Sequence, residues 1–181
     1  MGNSITEGWK NTDPGFFEGR PYIDRGISGQ TTPQMLIRFR PDVIDLKPAI
    51  VIILAGINDI AENTGPMTLE ETAGNIFSMA QLAKAANIKV IISSVLPANT
   101  FPWRPEIKPA EKVIELNILL KQYCEENRIT YLDYYSHMVD DKKGLDPRYG
   151  DDGVHPNLAG YKVMEGLVEN AIKSAIENNG K

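Results

Sequence analysis

Three short polar motifs contain the residue types that hydrolysis of an ester requires. Gly2-Asn3-Ser4-Ile5-Thr6 lies at the start, Gly56-Ile57-Asn58-Asp59 follows an apolar run, and Asp152-Gly153-Val154-His155-Pro156 lies near the end. The motifs supply a hydroxyl nucleophile, an amide donor and an Asp-x-x-His pair, which are the parts of an acyl-transfer site. Each motif is a weak signal alone, but together the three predict one hydrolytic site.

Ser4 is the candidate nucleophile, and His155 is the candidate base. A serine hydroxyl becomes a good nucleophile only when a neighbouring base takes its proton, and the chain has two histidines, His137 and His155. Asp152 precedes His155 by three residues in a loop that contains glycine. Its carboxylate can therefore accept a hydrogen bond from Nδ1–H of His155 and leave Nε2 facing Ser4. His137 lies in a stretch without glycine and is predicted to be a surface or packing residue.

Three groups are candidate donors for an oxyanion hole. Gly29 opens toward a predicted helix and can present its backbone N–H to a ligand oxygen, and the side-chain amide of Asn58 can point at the same place. The backbone N–H of Ser4 completes the set. Glycine and asparagine are also common in turns, so a purely structural role is the alternative for Gly29 and Asn58.

Strands and helices that alternate along the chain are predicted to position these motifs. Ala49–Ala55 and Ile88–Leu96 are continuous apolar, β-branched runs, typical of strands covered on both faces. Tyr22–Arg25 and Ile129–Leu132 are weaker strand candidates. The pattern predicts a parallel sheet between helices, with ligands bound beyond the carboxyl ends of the strands.

The predicted helices have recognisable starts and apolar stripes. One begins with Thr32 as its cap and Pro33 at its first position, and Pro41 is expected to break or kink it. The others run from about Leu69 to Ala86, from near Pro109, and from just after His155.

The first motif would normally be the turn that leaves a central apolar strand, yet only Met1 precedes it. We therefore expect a further strand upstream of Met1 in the native protein, within a single domain that covers residues 1–181. The sequence leaves the compartment open. A signal peptide among such upstream residues would imply a secreted or periplasmic location.

Composition narrows the possible partners. The net charge of −5 argues against a sequence-independent hold on nucleic acid or on an anionic membrane. No apolar stretch approaches the ~20 residues of a membrane-spanning helix.

The one cysteine, Cys124, excludes an internal disulfide framework and is predicted to pack in the interior. No cluster of His, Cys and carboxylates has ligand spacing, so we expect neither a metal nor another cofactor. The oligomeric state is not indicated.

The motifs together resemble the GDSL-like esterases of the SGNH hydrolase superfamily over nearly the whole chain. The resemblance implies a flavodoxin-like fold, a three-layer α/β/α sandwich with a central parallel sheet. It also implies a catalytic triad of Ser4, Asp152 and His155, and an oxyanion hole of Ser4, Gly29 and Asn58. The family's first block usually reads Gly-Asp-Ser, whereas here it reads Gly-Asn-Ser. Because Asp152 is the catalytic carboxylate, we expect activity to survive this change.

The substrate is predicted to be a short-chain ester, and the ester we favour is an acetyl ester of a carbohydrate. The chain shows no apolar lid of the kind that a long-chain lipase would need. Four residues are candidate substrate contacts: Asn3, Trp9, Phe101 and Trp103. A lysophospholipase or platelet-activating-factor-acetylhydrolase-like activity is the alternative enzyme hypothesis. A non-catalytic carbohydrate-binding module is the alternative from another class.

Overall fold

Three parallel strands form the central sheet of the structure, a computed structural model that describes residues 1–177. The strands β1 (Ile50–Ile53), β2 (Lys89–Ser93) and β3 (Thr130–Leu132) follow one another in that order across the sheet. Val51 lies opposite Val90 in the parallel register. Parallel neighbours need crossover connections, which helices supply here. The parallel sheet predicted from the apolar runs is confirmed, and so is the weaker strand candidate that became β3.

Seven α-helices surround the sheet within residues 1–177. They are α1 (Ser4–Thr12), α2 (Thr32–Phe39), α3 (Ile57–Ile60), α4 (Leu69–Ala85), α5 (Ala110–Asn127), α6 (Tyr135–Met138) and α7 (Leu158–Glu177). Helix α4 packs against both α2 and α5, with α4 on β2 and α5 on β3, whereas α7 packs on β2 and β3 and contacts α1. The predicted three-layer α/β/α architecture is therefore confirmed. Among the described residues, no helix is long and apolar enough to cross a membrane.

The start of α2 differs by one residue from the prediction. Thr31, not Thr32, is the N-cap, and it forms a capping box with Gln34. Thr32 is the first helical residue, and its N–H and hydroxyl both bond to the side chain of Asp59. The capping box is a local reason for the observed boundary. The predicted break at Pro41 is confirmed, because α2 ends at Phe39 and a π-helical turn follows.

The predicted strand Tyr22–Arg25 is wrong. The segment has no regular secondary structure and forms no ladder, and an isolated bridge between Gly26 and Gly2 follows it. Gly2 also bridges to Leu54, just past the end of β1. Gly2 therefore lies between the two segments and forms one parallel bridge with each.

An apolar cavity of about 500 Å³ lies beside β1. It is bounded by β1 on one side and by residues 21–25 on another, and Trp9, Phe16 and Val168 contribute to its walls. The strand expected upstream of Met1 remains a prediction.

The one cysteine is part of the interior, as predicted. Cys124 on α5 is 1% exposed, and burial, with a smaller contribution from the charge of Glu125, raises the pKa of its thiol to about 12. Because the thiolate is the reactive form, we expect no reaction with Ellman's reagent in the folded protein at pH 8 and one equivalent in urea. A full equivalent released within minutes from the folded protein would contradict this packing.

Candidate active site

Ser4 lies at the first position of α1, next to the end of β1. Its neighbour Asn3 is the N-cap of α1, and Asn3 Oδ1 accepts a hydrogen bond of 3.0 Å from the Ile5 N–H. The approach of residue 26 to this turn is close: a Cβ at Gly26 would lie 2.1 Å from the Glu7 nitrogen. Only glycine allows that packing. Because Ser4 is the first residue of α1, the positive end of the helix dipole lies beside its hydroxyl.

His155 is brought to Ser4 by the loop that precedes α7. The distance from Ser4 Oγ to His155 Nε2 is 2.9 Å, and the distance from His155 Nδ1 to Asp152 Oδ2 is 2.7 Å. The other carboxylate oxygen, Oδ1, accepts the backbone N–H groups of Val154 at 2.9 Å and of His155 at 2.8 Å. The loop is therefore folded around Asp152. The structure brings the three side chains into one chain of hydrogen bonds although Ser4 and His155 are 151 residues apart.

The surroundings of Asp152 favour its charged form. Partial burial raises the pKa of the carboxyl, but hydrogen bonds from the His155 backbone, the imidazole and the Val154 N–H together outweigh it, so the pKa is lower than usual. A carboxylate beside Nδ1 favours the tautomer in which Nδ1 carries the proton. Nε2 is then the acceptor for the Ser4 hydroxyl.

His137 lies elsewhere on the surface. It is exposed on α6, and its Nδ1 lies 3.0 Å from the carbonyl oxygen of Asp133 within the same turn. The prediction of a surface histidine is confirmed.

Asn58 is aimed at the loop that contains Gly29. Gly56, with a φ of +119°, turns the chain out of β1 into α3, and Asn58 follows with 4% exposure. Its Nδ2 donates to the Gln30 carbonyl oxygen at 2.9 Å, which leaves one amide hydrogen for another acceptor. Among residues 1–177, the N–H of Gly29 is not bonded to another protein group. The two predicted donors therefore belong to one hydrogen-bonded unit with free donor capacity.

Three of the predicted substrate contacts are corrected by burial. Asn3 is fully buried and caps α1. Trp9 is 8% exposed and stacks between Phe16 and Tyr161, with ring centroids at 5.2 and 5.5 Å. Phe101 is fully buried. Five helical positions rotate a side chain by about 140°, so Trp9 faces away from Ser4.

Trp103 is the one aromatic candidate that reaches the rim. It is 43% exposed, and its ring lies on Phe101 with centroids 5.3 Å apart and planes at 28°. Its centroid lies 6.1 Å from that of the His155 ring. The buried Phe101 ring thus packs against the inner face of Trp103, and the Trp103 ring lies beside the imidazole.

Sequence reasoning missed two carboxylates that surround the Gly29 loop. Glu7 accepts hydrogen bonds from the backbone N–H and the hydroxyl of Ser28. Asp59 accepts from Thr32 and is 2% exposed. For Glu7 the available signal was its position three residues after Ser4, on the same side of a helix. For Asp59 it was a charged residue in an otherwise apolar stretch.

Residues 1–163 match the GDSL-like lipase/acylhydrolase family. A crystal structure of a GDSL-like lipase from Bacteroides thetaiotaomicron is 55% identical and superposes with a TM-score of 0.94, covering 97% of this chain and 86% of that one. The chain belongs to the GDSL-like lipase/acylhydrolase family. The family predicted from the motifs is confirmed, and the predicted class of carboxylic ester hydrolase agrees with it.

Two curated relatives carry activities in their names. The esterase TesA of Pseudomonas aeruginosa is 36% identical over 88 residues, which are 47% of this chain and 42% of TesA. The chain therefore matches less than half the length of that relative. An acetylxylan esterase of Geobacillus stearothermophilus is 24% identical over 147 residues, 78% of this chain and 67% of the relative.

Proposed function

We propose that this GDSL-like chain is a serine esterase that removes short acyl groups, chiefly acetyl, from carbohydrate esters. The observation that carries the proposal is the chain of contacts from Ser4 Oγ to His155 Nε2 (2.9 Å) and from His155 Nδ1 to Asp152 Oδ2 (2.7 Å). A hydroxyl, a base and an orienting carboxylate in this order are the machinery of nucleophilic acyl transfer.

The geometry supports a two-step reaction. Ser4 Oγ attacks the ester carbonyl carbon while its proton passes to His155 Nε2, and the carbonyl oxygen becomes an oxyanion. Donors at Ser4, Gly29 and Asn58 would bind that oxyanion. The tetrahedral intermediate expels the alcohol, which takes the proton from Nε2, and leaves the acyl group on Ser4. Water then attacks the acyl-enzyme with His155 again as base, releasing the acid and restoring the Ser4 hydroxyl.

The position of the apolar cavity supports a short acyl group. The cavity of about 500 Å³ beside β1 is lined by neither Ser4 nor His155 nor Asn58. It is therefore not a tunnel for a long acyl chain leading away from the nucleophile. The site itself is open, since the side chains of His155 and Asp152 are 37% and 43% exposed. An open site leaves a long acyl chain in contact with water, so it does not supply the apolar burial that would favour such a chain over a short acyl group.

The alcohol leaves beside the imidazole that returns its proton, and the surface beside that imidazole favours a sugar. Trp103 offers an exposed aromatic face that is held flat by Phe101, and such faces pack against the apolar faces of sugar rings. The relative named as an acetylxylan esterase supports the same substrate class.

The test is release of acid from a panel of acetylated xylo-oligosaccharides, other acetylated glycans and lysophospholipids, with p-nitrophenyl esters from C2 to C12 alongside. We expect acetate release from the glycans and a rate on the p-nitrophenyl esters that is highest at C2 to C4. A maximum at C8 or longer, with acid released from lysophospholipids alone, would favour the lipid-esterase alternative. Glycan binding without any acid release would favour a non-catalytic binding module.

The exposed aromatic face of Trp103 leads to a separate prediction about KM. Replacing Trp103 with Ala should raise KM for acetylated xylo-oligosaccharides about tenfold, because a sugar ring packed on the indole removes apolar surface from water at ~25 cal/mol per Å². The value of kcat/KM for p-nitrophenyl acetate, whose alcohol is not a sugar, should change less. Trp103→Phe is the matched control and should keep KM within about threefold of wild type. An unchanged KM in Trp103→Ala would exclude a contact between the Trp103 ring and the sugar.

A further inference from the structure

The carboxylate of Asp59 is buried without a basic partner. It is 2% exposed, and within residues 1–177 it forms no ion pair. Its partners are the Thr32 N–H, at 2.9 and 3.1 Å from the two carboxylate oxygens, and the Thr32 hydroxyl at 2.6 Å. Burial raises the pKa of this carboxyl, and the hydrogen bonds from Thr32 only partly oppose it. Burying a carboxyl group without a cation beside it lowers the free energy of unfolding, so a functional role is the explanation to test.

Asp59 belongs to a set of side chains that join two segments of the site. The segment at residues 29–32 carries the Gly29 amide, and the segment at residues 58–64 carries Asn58. Four residue pairs are joined by side-chain hydrogen bonds: Asn58 donates to the Gln30 carbonyl, Thr32 donates to Asp59, Asn63 donates to the Gly29 carbonyl, and the hydroxyls of Thr31 and Thr64 bond to each other.

Thr32 is the most strongly held point of this junction. Besides its bonds to Asp59, its hydroxyl oxygen accepts the Asn75 side-chain amide of α4 at 3.1 Å. The contact between Asp59 and Thr32 is buried, whereas the Asn63 contact is exposed. Loss of Asp59 would therefore remove the anchor that solvent does not replace.

We propose that Asp59 is a positioning residue that sets the distance between the Gly29 and Asn58 donors by holding the start of α2 against α3. The proposal rests on the esterase function proposed above. Asn58 and Asp59 are consecutive residues, so one turn of α3 both aims a donor at the oxyanion and fixes the loop that carries the other donor. A displacement of about 1 Å in such a group is enough to cost ~10² in rate.

The competing explanation is that Asp59 only stabilises the start of α2. Both explanations expect Asp59→Asn to lower the melting temperature, but they differ in the kinetics. The control is Thr68→Ala, which removes the side-chain N-cap of α4 and touches neither donor. Variants are assayed with p-nitrophenyl acetate at a temperature where circular dichroism shows each to be folded.

We expect Asp59→Asn to lower kcat tenfold to a hundredfold, of the order that such a displacement costs, with KM within twofold. Thr68→Ala should keep kcat. In the Asn58→Ala background, Asp59→Asn should lower kcat by less than about threefold, since the donor pair is already broken and coupled sites are not additive. Equal kcat in Asp59→Asn and Thr68→Ala, or full additivity with Asn58→Ala, would overturn the proposal.

A second pair of variants covers the case in which Asp59→Asn does not fold. Thr32→Val removes the hydroxyl that donates a hydrogen bond to Asp59, whereas Thr32→Ser retains it. We expect a loss of kcat in Thr32→Val and its recovery in Thr32→Ser, and equal kcat in the two would overturn the proposal. If Ser4→Ala were as active as wild type, the esterase function itself would fail. If Ser4→Ala were inactive while Asp59→Asn and Thr32→Val kept kcat, only the role of Asp59 would fail.

Discussion

Replacing Ser4 with Ala is expected to lower kcat for p-nitrophenyl acetate by about four orders of magnitude or more. The variant removes the hydroxyl that lies 2.9 Å from His155 Nε2, so no acyl-enzyme can form. His155→Ala should cost a similar amount, because the base and the nucleophile act as one unit. The double variant should be little worse than either single variant.

The fold should tolerate the loss of the Ser4 hydroxyl. The side chain that caps α1 belongs to Asn3, so the melting temperature of Ser4→Ala should stay close to that of wild type. Ser136→Ala is a matched control, because Ser136 Oγ also lies near a histidine nitrogen, 3.1 Å from His137 Nδ1. That control should keep full activity. Wild-type turnover by Ser4→Ala would remove Ser4 from the mechanism.

Replacing Asn58 with Ala is expected to lower kcat ~10²–10³-fold with little change in KM. In the proposed mechanism the amide bonds an oxygen whose negative charge develops in the transition state and is complete in the tetrahedral intermediate. Its loss therefore raises the barrier more than it weakens binding of the ground state.

Asn127→Ala is the matched control for Asn58. The Asn127 amide donates to the Tyr123 carbonyl oxygen at 2.9 Å, as the Asn58 amide donates to that of Gln30, but it lies at the end of α5. It should change stability without changing kcat. A rise in KM alone for Asn58→Ala would indicate a substrate-binding residue and contradict an oxyanion-hole role.

The sheet was predictable because its strands are continuous apolar runs. Residues 49–55 and 88–96 contain β1 and β2, and each predicted run exceeds the observed strand at both ends. The start of α2 has a local signal, because Thr31 and Gln34 have the spacing of a capping box, whereas the contacts of Thr32 are tertiary. Nothing near Thr32 in the sequence shows that its N–H and hydroxyl are bonded to Asp59, 27 positions away.

The aromatic contacts were harder to predict than the polar motifs. Phe101 and Trp103 share a proline-rich loop and similar chemistry, yet one is fully buried and the other is 43% exposed. Composition does not tell which ring of such a pair lies beneath. The direction of the Trp9 side chain follows from the 3.6-residue period of α1, and the first motif does not indicate that a helix begins at Ser4. The role of Asn3 as the N-cap depends on the same helix, so the sequence did not distinguish it from a substrate contact.

Covalent labelling of the nucleophile tests the central claim most directly. The protein is treated with a fluorophosphonate, which reacts with activated serines, and the adduct is located by mass spectrometry of peptides. The proposed mechanism predicts one adduct per chain on Ser4, absent in Ser4→Ala and slowed about a thousandfold or more in His155→Ala, because the imidazole activates the hydroxyl. An adduct on another serine, or ester turnover that continues after Ser4 is fully labelled, would contradict it.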